Sequence, residues 1–269
     1  MKGMVFYGKY QENTREPCLT PILCQDIETD WIPVIIKISE RDCDANRESN
    51  EADIMQYLAL RNPEILIPKV LSVFKLDSAA SEHFLSFDNC VKEELEASYI
   101  PFDLPGSTVI IMEFVNGNVL TRERALMRNS DGDLVSLEII SRLLEGLHDA
   151  SIVHGDIKCD NFIVSAPEAR DPPITGDNIF LIDFDSSFHS GWDHNAENKW
   201  LPPEGSIEDA TDSELYAYLL TPLVDWTMLL NMYHWFIFGK YMLRKEFPFD
   251  VNSLCREQCK TIVEGWLAK

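Results

Sequence analysis

One short polar segment constrains this chain more than any other part of its sequence. The run HGDIKCDN begins at His154 and places Asp156, Lys158 and Asn161 in the spacing D-x-K-x-x-N. In phosphoryl transfer a carboxylate accepts the proton of the attacking hydroxyl, a lysine neutralises charge on the moving group, and an asparagine holds a magnesium ion. The sequence therefore predicts Asp156, Lys158 and Asn161 as catalytic residues.

A second acidic residue stands where the same chemistry needs one. Asp183 follows an apolar run, in the tetrapeptide LIDF that ends at Phe184. Hard oxygen ligands suit Mg²⁺, which proteins usually hold by one or two side chains together with phosphate oxygens. The two segments together are more specific than the D-x-K-x-x-N spacing alone. We therefore expect Asn161 and Asp183 to be the magnesium ligands.

Composition limits the partners that this chain can have. Hydrophobic residues make up 45% of its 269 residues, and the formal net charge is −22. Such a chain repels phosphate backbones and anionic lipids, so we expect neither nucleic acid nor a membrane as a partner. The seven cysteines contain no C-x-x-C pair, and the start, MKGMVFYGKY, has no long apolar region. Both features indicate reduced thiols in the cytoplasm or nucleus.

Hydrophobic periodicity predicts strands in the first part of the chain and mostly helices in the second. In the first part we expect a hairpin of strands over 21–24 and 31–38, a helix over 51–60, and strands over 70–74 and 108–114. Beyond Asn116 we expect helices over 136–147 and 225–238, with short strands over 162–164 and 179–182. Ser136 is the predicted N-cap of the first of these helices. The apolar run 223–238 contains Asp225, Asn231 and His234, which indicates a buried helix rather than a membrane span.

This layout resembles the eukaryotic protein kinase fold. The resemblance implies an α+β, bilobal fold, with a small β-rich N-lobe over residues 1–115 and a larger helical C-lobe over residues 116–269. The run VIIK ending at Lys37 is similar to the strand whose lysine pairs with the α- and β-phosphates of ATP. Glu51 stands where helix C carries the glutamate that holds this lysine. The resemblance thus implies a nucleotide-binding role for Lys37 and Glu51.

The same resemblance assigns roles to three further places in the chain. The run IIMEFV that begins at Ile110 resembles the fifth strand and hinge of a kinase. By that match Met112 lies beside the adenine, and the backbones of Glu113 and Val115 bond its edge. The run LVDW resembles the start of helix F, whose Asp225 would brace the catalytic loop. ATP and Mg²⁺ are the cofactors that this resemblance implies.

Three departures from the usual kinase pattern carry their own expectations. Gly155 replaces the arginine of H-R-D, which commonly binds a phosphate on the activation loop, so we expect activity without such phosphorylation. Only Gly3 and Gly8 precede Lys37, so a G-x-G-x-x-G loop is lacking and the grip on phosphate should be weaker. Asp185 takes the place of the glycine after D-F, which should restrict the local backbone.

The chain combines H-G-D, an insertion before D-F and a degenerate glycine loop. This combination resembles the Bub family of mitotic spindle-assembly-checkpoint serine/threonine kinases, in its Bub-related branch. That resemblance implies protein substrates, checkpoint and kinetochore partners, and a location in cytoplasm and nucleus and at kinetochores in mitosis.

Two alternatives stay open. One is a pseudokinase scaffold with little turnover. The other is a small-molecule phosphotransferase of the aminoglycoside or choline type, which also uses H-G-D but generally lacks a lysine at the position of Lys158.

Overall fold

The computed structural model describes residues 4–10, 32–39, 51–75, 106–165, 173–189, 222–242 and 254–269. The chain divides into two compact units. The first comprises Met1–Gln56 and Pro68–Phe114, and the second comprises Tyr57–Ile67 and Val115–Lys269. The strand predicted over 21–24, and with it the hairpin, lies outside the described residues.

The described part of the first unit contains a four-stranded antiparallel sheet and the first residues of a helix. Its strands are β1 (Met4–Tyr10), β2 (Ile32–Ser39), β3 (Val70–Lys75) and β4 (Thr108–Glu113), in the order β1-β2-β4-β3. The predicted strands over 31–38, 70–74 and 108–114 are confirmed to within a residue or two. Val34, Ile36 and Ile38 alternate along β2 and pack with Val109 and Ile111 of β4 in one buried cluster. The period of two therefore places Lys37 on the other face of the sheet.

Helix α1 (Glu51–Arg61) confirms the helix predicted over 51–60. Its buried apolar residues recur at helical spacing: Ala52, Ile54, Met55 and Leu58. The boundary between the two units falls within this helix, between Gln56 and Tyr57.

The described part of the second unit contains helices and two small sheets. Its helices are α2 (Arg122–Ala125), α3 (Val135–Asp149), α4 (Leu223–Phe238) and α5 (Arg256–Leu267). Strands β5 (Gly117–Val119), β7 (Phe162–Ser165) and β8 (Ile179–Leu181) form one sheet, and β6 (Ile152–Val153) pairs with β9 (Phe188–His189). The α+β class predicted from the sequence is confirmed.

One local prediction is wrong, and two helices, α2 and α5, were not predicted. The N-cap of α3 is Leu134 and not Ser136. Ser136 is buried instead, and its hydroxyl donates to the carbonyl of Ala125 at 2.7 Å and lies 2.6 Å from the hydroxyl of Tyr233. Helix α5 buries Cys259 and Val263. It is held to α3 through Arg256, which pairs with Glu138 and Glu145.

Helix α4 is the most apolar helix of the second unit. It begins at Leu223, two residues before the predicted start, and ends at Phe238; the C-cap that follows is Gly239, whose φ of 70° is left-handed. Its core-facing residues include Leu229, Leu230 and Tyr233, all fully buried. In the part of the chain that the structure describes, α4 included, no helix has both the length and the apolar character to cross a membrane.

Candidate active site

The first unit contains the ion pair that the sequence predicts. The Nζ atom of Lys37 on β2 lies 3.0 Å from each carboxylate oxygen of Glu51, the first residue of α1. The lysine side chain is 7% exposed and the glutamate side chain 1%. Burial of both charges costs desolvation energy, so the pair serves to fix the position of the ammonium group more than to stabilise the fold.

The three residues predicted to lie around adenine occupy the end of β4 and the residues after it. Met112 is buried and pairs across the sheet with Ile35 of β2. Glu113 is exposed, and its backbone N–H donates to the carbonyl of Lys69 at 2.9 Å. Because this bond uses the N–H, the backbone of Glu113 can offer only its carbonyl oxygen to the edge of the adenine. Val115 is the first residue of the second unit's longer segment, and no hydrogen bond among the described residues uses its backbone N–H.

In the second unit, buried Asp225 near the start of α4 anchors the HGDIKCDN loop. One carboxylate oxygen accepts the backbone N–H of His154 and the other that of Gly155, both at 2.9 Å. The Nε2 atom of His148 lies 3.0 Å from the same carboxylate. Asp225 is 0% exposed, so three polar partners satisfy a charge that has no access to water. This arrangement confirms the expected bracing of the loop by Asp225.

The imidazole of His154 joins the loop to the residue before Asp183. Its Nε2–H donates to the carbonyl of Ile182 at 3.1 Å, and Nδ1 accepts the backbone N–H of Asp156 at 3.3 Å. Burial lowers the pKa of His154, against the opposing effect of Asp225, so the ring is neutral at neutral pH. A neutral ring with hydrogen on Nε2 fits both bonds. One side chain thus positions the backbone at both predicted catalytic segments.

Asp156, Lys158 and Asn161 converge within this loop. The Nζ atom of Lys158 lies 2.5 Å from Oδ2 of Asp156, and Nδ2 of Asn161 donates to the same oxygen at 3.1 Å. The hydrogen bond to Asp156 holds the pKa of the Lys158 ammonium above its usual value. The Asp156 side chain remains 33% exposed, so a substrate hydroxyl can reach it. The carboxylate is therefore oriented by two donors and open to solvent.

The amide of Asn161 fits a metal ligand. Its nitrogen faces two acceptors, the carbonyl of Asp156 at 2.8 Å and the Asp156 carboxylate, which fixes the assignment of nitrogen and oxygen. No hydrogen bond among the described residues uses its Oδ1. Amide and carboxylate oxygens are ligands that Mg²⁺ accepts. The donor set of Asn161 and Asp183 is therefore suited to magnesium.

The backbone around Asp183 departs from regular structure. Asp183 has φ 66° and ψ 69°, a left-handed conformation that aspartate tolerates better than most residues. Asp185 lies in the 3-10 helix Phe184–Ser186. Asp185 has no positive φ, so its backbone lies in a conformation that a non-glycine residue adopts without strain. The left-handed residue is Asp183, which turns the chain between Ile182 and Phe184.

The structure explains why residue 155 is a glycine. Gly155 has a φ of 78°, and a Cβ atom there would lie 2.7 Å from the carbonyl oxygen of Ser186. Both its backbone conformation and its close contact exclude a side chain. The loop therefore requires glycine where H-R-D kinases have arginine.

Replacing Gly155 by alanine is expected to destabilise the fold by about 2–4 kcal/mol, through left-handed strain and the clash with Ser186. Gly132→Ala is the matched control, because Gly132 has a φ of 89° but nothing within 4 Å of its Cβ position. The free energy of unfolding of that variant should fall by only about 1 kcal/mol, the cost of the left-handed strain alone. Urea unfolding of both variants measures the difference. Equal losses would show that the approach to Ser186 is not tight.

Three residues of the site escaped the sequence prediction. His148 supports Asp225, Met228 accepts the backbone N–H of Ile157 through its sulfur at 3.3 Å, and Ser187 donates to the carbonyl of His154 at 3.0 Å. None of them has a local signal of function, since each acts through a contact with a distant segment.

Comparison with known proteins adds nothing on function. No protein-family model matches the sequence, and no curated protein matches it. Among solved structures, the chain is similar to the PK-1 kinase of the Cydia pomonella granulovirus, with a TM-score of 0.46 and 14% identity over 99% of this chain and 88% of the viral chain. A similarity at this level says nothing of activity or substrate. The described strands and helices follow the order that the sequence predicts.

Proposed function

We propose that this chain is an ATP- and Mg²⁺-dependent protein kinase domain that phosphorylates serine or threonine hydroxyls. The observation that carries the proposal is the Asp156 carboxylate. It is partly exposed, held by Lys158 and Asn161, and positioned through the backbone by Asp225 and His154. A general base needs this combination of fixed position and access to substrate.

Each predicted residue has a role that suits its surroundings. Asp156 accepts the proton of the substrate hydroxyl. Lys158, with a raised pKa, stays protonated and neutralises charge on the transferred group. Asn161 and Asp183 would hold Mg²⁺, which supplies charge neutralisation at the phosphate oxygens when bound. Lys37, positioned by Glu51, would contact the nucleotide phosphates, and Met112, Glu113 and Val115 would contact the adenine.

Two features favour a protein substrate and the serine/threonine class. Lys158 stands two residues after Asp156, as in serine/threonine kinases, and small-molecule phosphotransferases generally lack it. The H-G-D motif and the insertion before D-F support a place in the Bub-related branch of checkpoint kinases. Checkpoint and kinetochore proteins would then be its partners, in cytoplasm, nucleus and mitotic kinetochores.

The pseudokinase alternative has one specific observation in its favour. Only Gly3 and Gly8 precede Lys37, so few backbone amides can approach nucleotide phosphates closely. Against it stands the Asp156 group, in which each side chain has the partner that catalysis requires. We expect slow transfer, below the roughly 1–100 s⁻¹ typical of kinases.

The direct test is transfer of labelled γ-phosphate from ATP to a serine/threonine substrate, with and without Mg²⁺. We expect Mg²⁺-dependent incorporation, and Asp183→Asn should abolish it and weaken Mg²⁺-dependent ATP binding about tenfold or more, because a metal-binding charge is lost. Asp177→Asn, at an exposed acid before β8, is the control and should behave like the wild type. ATP binding without incorporation would favour the pseudokinase. Incorporation into aminoglycosides or choline alone would favour the small-molecule enzyme.

A further inference from the structure

Three segments of the second unit enclose a cavity of about 620 Å³. They are the turn over 62–66 after α1, the middle of α3 over 139–146, and the turn over 176–179 before β8. The volume falls within the roughly 300–1,000 Å³ of ligand-binding clefts. No residue of the HGDIKCDN loop lines it, so this cavity, here called the α3 groove, is separate from the candidate active site.

The α3 groove has an aliphatic floor. Ile65, Leu143 and Ile179 line it and are 7%, 8% and 1% exposed. Leu66 and Ile139 extend this apolar lining and are partly exposed. An aliphatic side chain placed there would leave water for an apolar environment, which favours binding by about 25 cal/mol per Å² of buried area.

The rim of the α3 groove is negatively charged. Glu64, Asp177 and Arg142 line it and are exposed. The guanidinium of Arg142 is already paired with Glu138 along α3, at 2.8 Å. Within the described ranges neither Glu64 nor Asp177 forms an ion pair. Two uncompensated carboxylates therefore border an aliphatic floor, in a chain whose net charge is −22.

Hydrogen bonds hold the walls of the groove in place before any partner binds. Nδ2 of Asn62 donates to the carbonyl of Gly146 on α3 at 3.1 Å, and the N–H of Leu181 donates to the carbonyl of Leu66 at 2.9 Å. The side chain of Asn178 accepts the N–H of Thr175 and donates to the carbonyl of Pro173, both at 2.8 Å, which closes the third wall. A cleft with fixed walls loses little conformational entropy on binding.

We propose that the α3 groove docks a peptide segment of a partner protein in which aliphatic side chains are flanked by lysine or arginine. The aliphatic residues fill the floor over Ile65, Leu143 and Ile179. The basic residues pair with Glu64 and Asp177. The opposite choice, an acidic segment, would meet like charge at both carboxylates. This docking is independent of the proposed phosphoryl transfer and is measured without ATP.

The test uses fluorescence anisotropy with short labelled peptides that carry paired arginines and leucines at several spacings. Matched peptides replace the arginines by glutamate or the leucines by serine. We expect the arginine–leucine peptides to bind, each replacement to weaken binding about tenfold or more, and salt to weaken it further. Absence of binding by every arginine–leucine peptide would overturn the proposal.

Substitutions in the protein test whether the peptide binds in the α3 groove. The double variant Glu64→Lys with Asp177→Lys should weaken binding of the arginine peptides about tenfold, through loss and reversal of charge. The double variant Asp131→Lys with Glu257→Lys makes the same change in net charge at exposed positions outside the groove, and should have little effect. Equal binding by both double variants would contradict the proposal.

A blocking variant tests the floor separately from the charges. Gly176 lines the groove, and nothing lies within 4 Å of its Cβ position. Gly176→Trp should therefore fold, as checked by circular dichroism, and fill the groove. We expect it to abolish peptide binding. Unchanged peptide affinity in a folded Gly176→Trp protein would place the peptide elsewhere and refute the docking site.

Discussion

Replacing Asp156 by asparagine is expected to lower the rate of phosphoryl transfer at least about a hundredfold while the fold is retained. The amide keeps the shape of the side chain but cannot accept the proton of the substrate hydroxyl. The ion pair with Lys158 is partly exposed, so its loss should change the free energy of unfolding by about 1 kcal/mol or less. Single-turnover assays with labelled ATP, beside urea unfolding, measure both quantities.

Asp160→Asn is the matched control for this experiment. Asp160 is an exposed acid in the same loop, and its replacement changes the net charge by the same amount. Its rate should stay within about twofold of the wild type, since exposed substitutions away from the reacting groups have small effects. If Asp156→Asn and the wild type incorporate phosphate at the same rate, Asp156 is not the base, and the signal comes from a contaminating kinase.

Replacing Asp225 by alanine is expected to destabilise the protein by about 3–5 kcal/mol. The buried carboxylate accepts the backbone N–H groups of His154 and Gly155 and contacts His148. Without it, these donors are left in the core with no acceptor, and each unsatisfied group costs about 1–3 kcal/mol. Asp225→Asn should lie between alanine and the wild type, because its amide offers one oxygen in place of two.

Asp149→Ala supplies the comparison, since Asp149 is exposed at the end of α3. Its free energy of unfolding should stay within about 0.5 kcal/mol of the wild type. The surviving folded fraction of Asp225→Ala should also transfer phosphate more slowly, because the backbone that orients Asp156 has lost its anchor. A loss of stability no larger than that of Asp149→Ala would mean that the loop does not depend on Asp225.

The reactive residues were readable from the sequence because they are close together in the chain. Asp156, Lys158 and Asn161 fall within six positions, so the turn that carries them must bring their side chains near one another. The strand of Lys37 and helix α1 were also predictable, because alternation and helical spacing of apolar residues record which face each element buries. The Lys37–Glu51 pair, which joins this strand to helix α1, was expected from the order of the motifs along the chain.

Other contacts between distant segments were decided only by the tertiary structure. Ser136 has the chemistry of an N-cap, yet the core around Tyr233 gives its hydroxyl buried partners, and the cap falls at Leu134. The requirement for glycine at position 155 comes from the carbonyl of Ser186, which no local pattern reveals.

The sequence by itself determined which chemistry the catalytic loop can support, and its resemblance to the kinase fold implied the bracing by Asp225. The tertiary structure decided which other groups hold that loop and where a partner could dock. Met228 lies 71 residues from the backbone N–H of Ile157 that its sulfur accepts, and the α3 groove is assembled from three segments between Asn62 and Ile179. Local periodicity records burial, but it does not record which remote groups meet. Hydrogen bonding of buried polar groups settles that question, because each such group must find a partner in the folded chain.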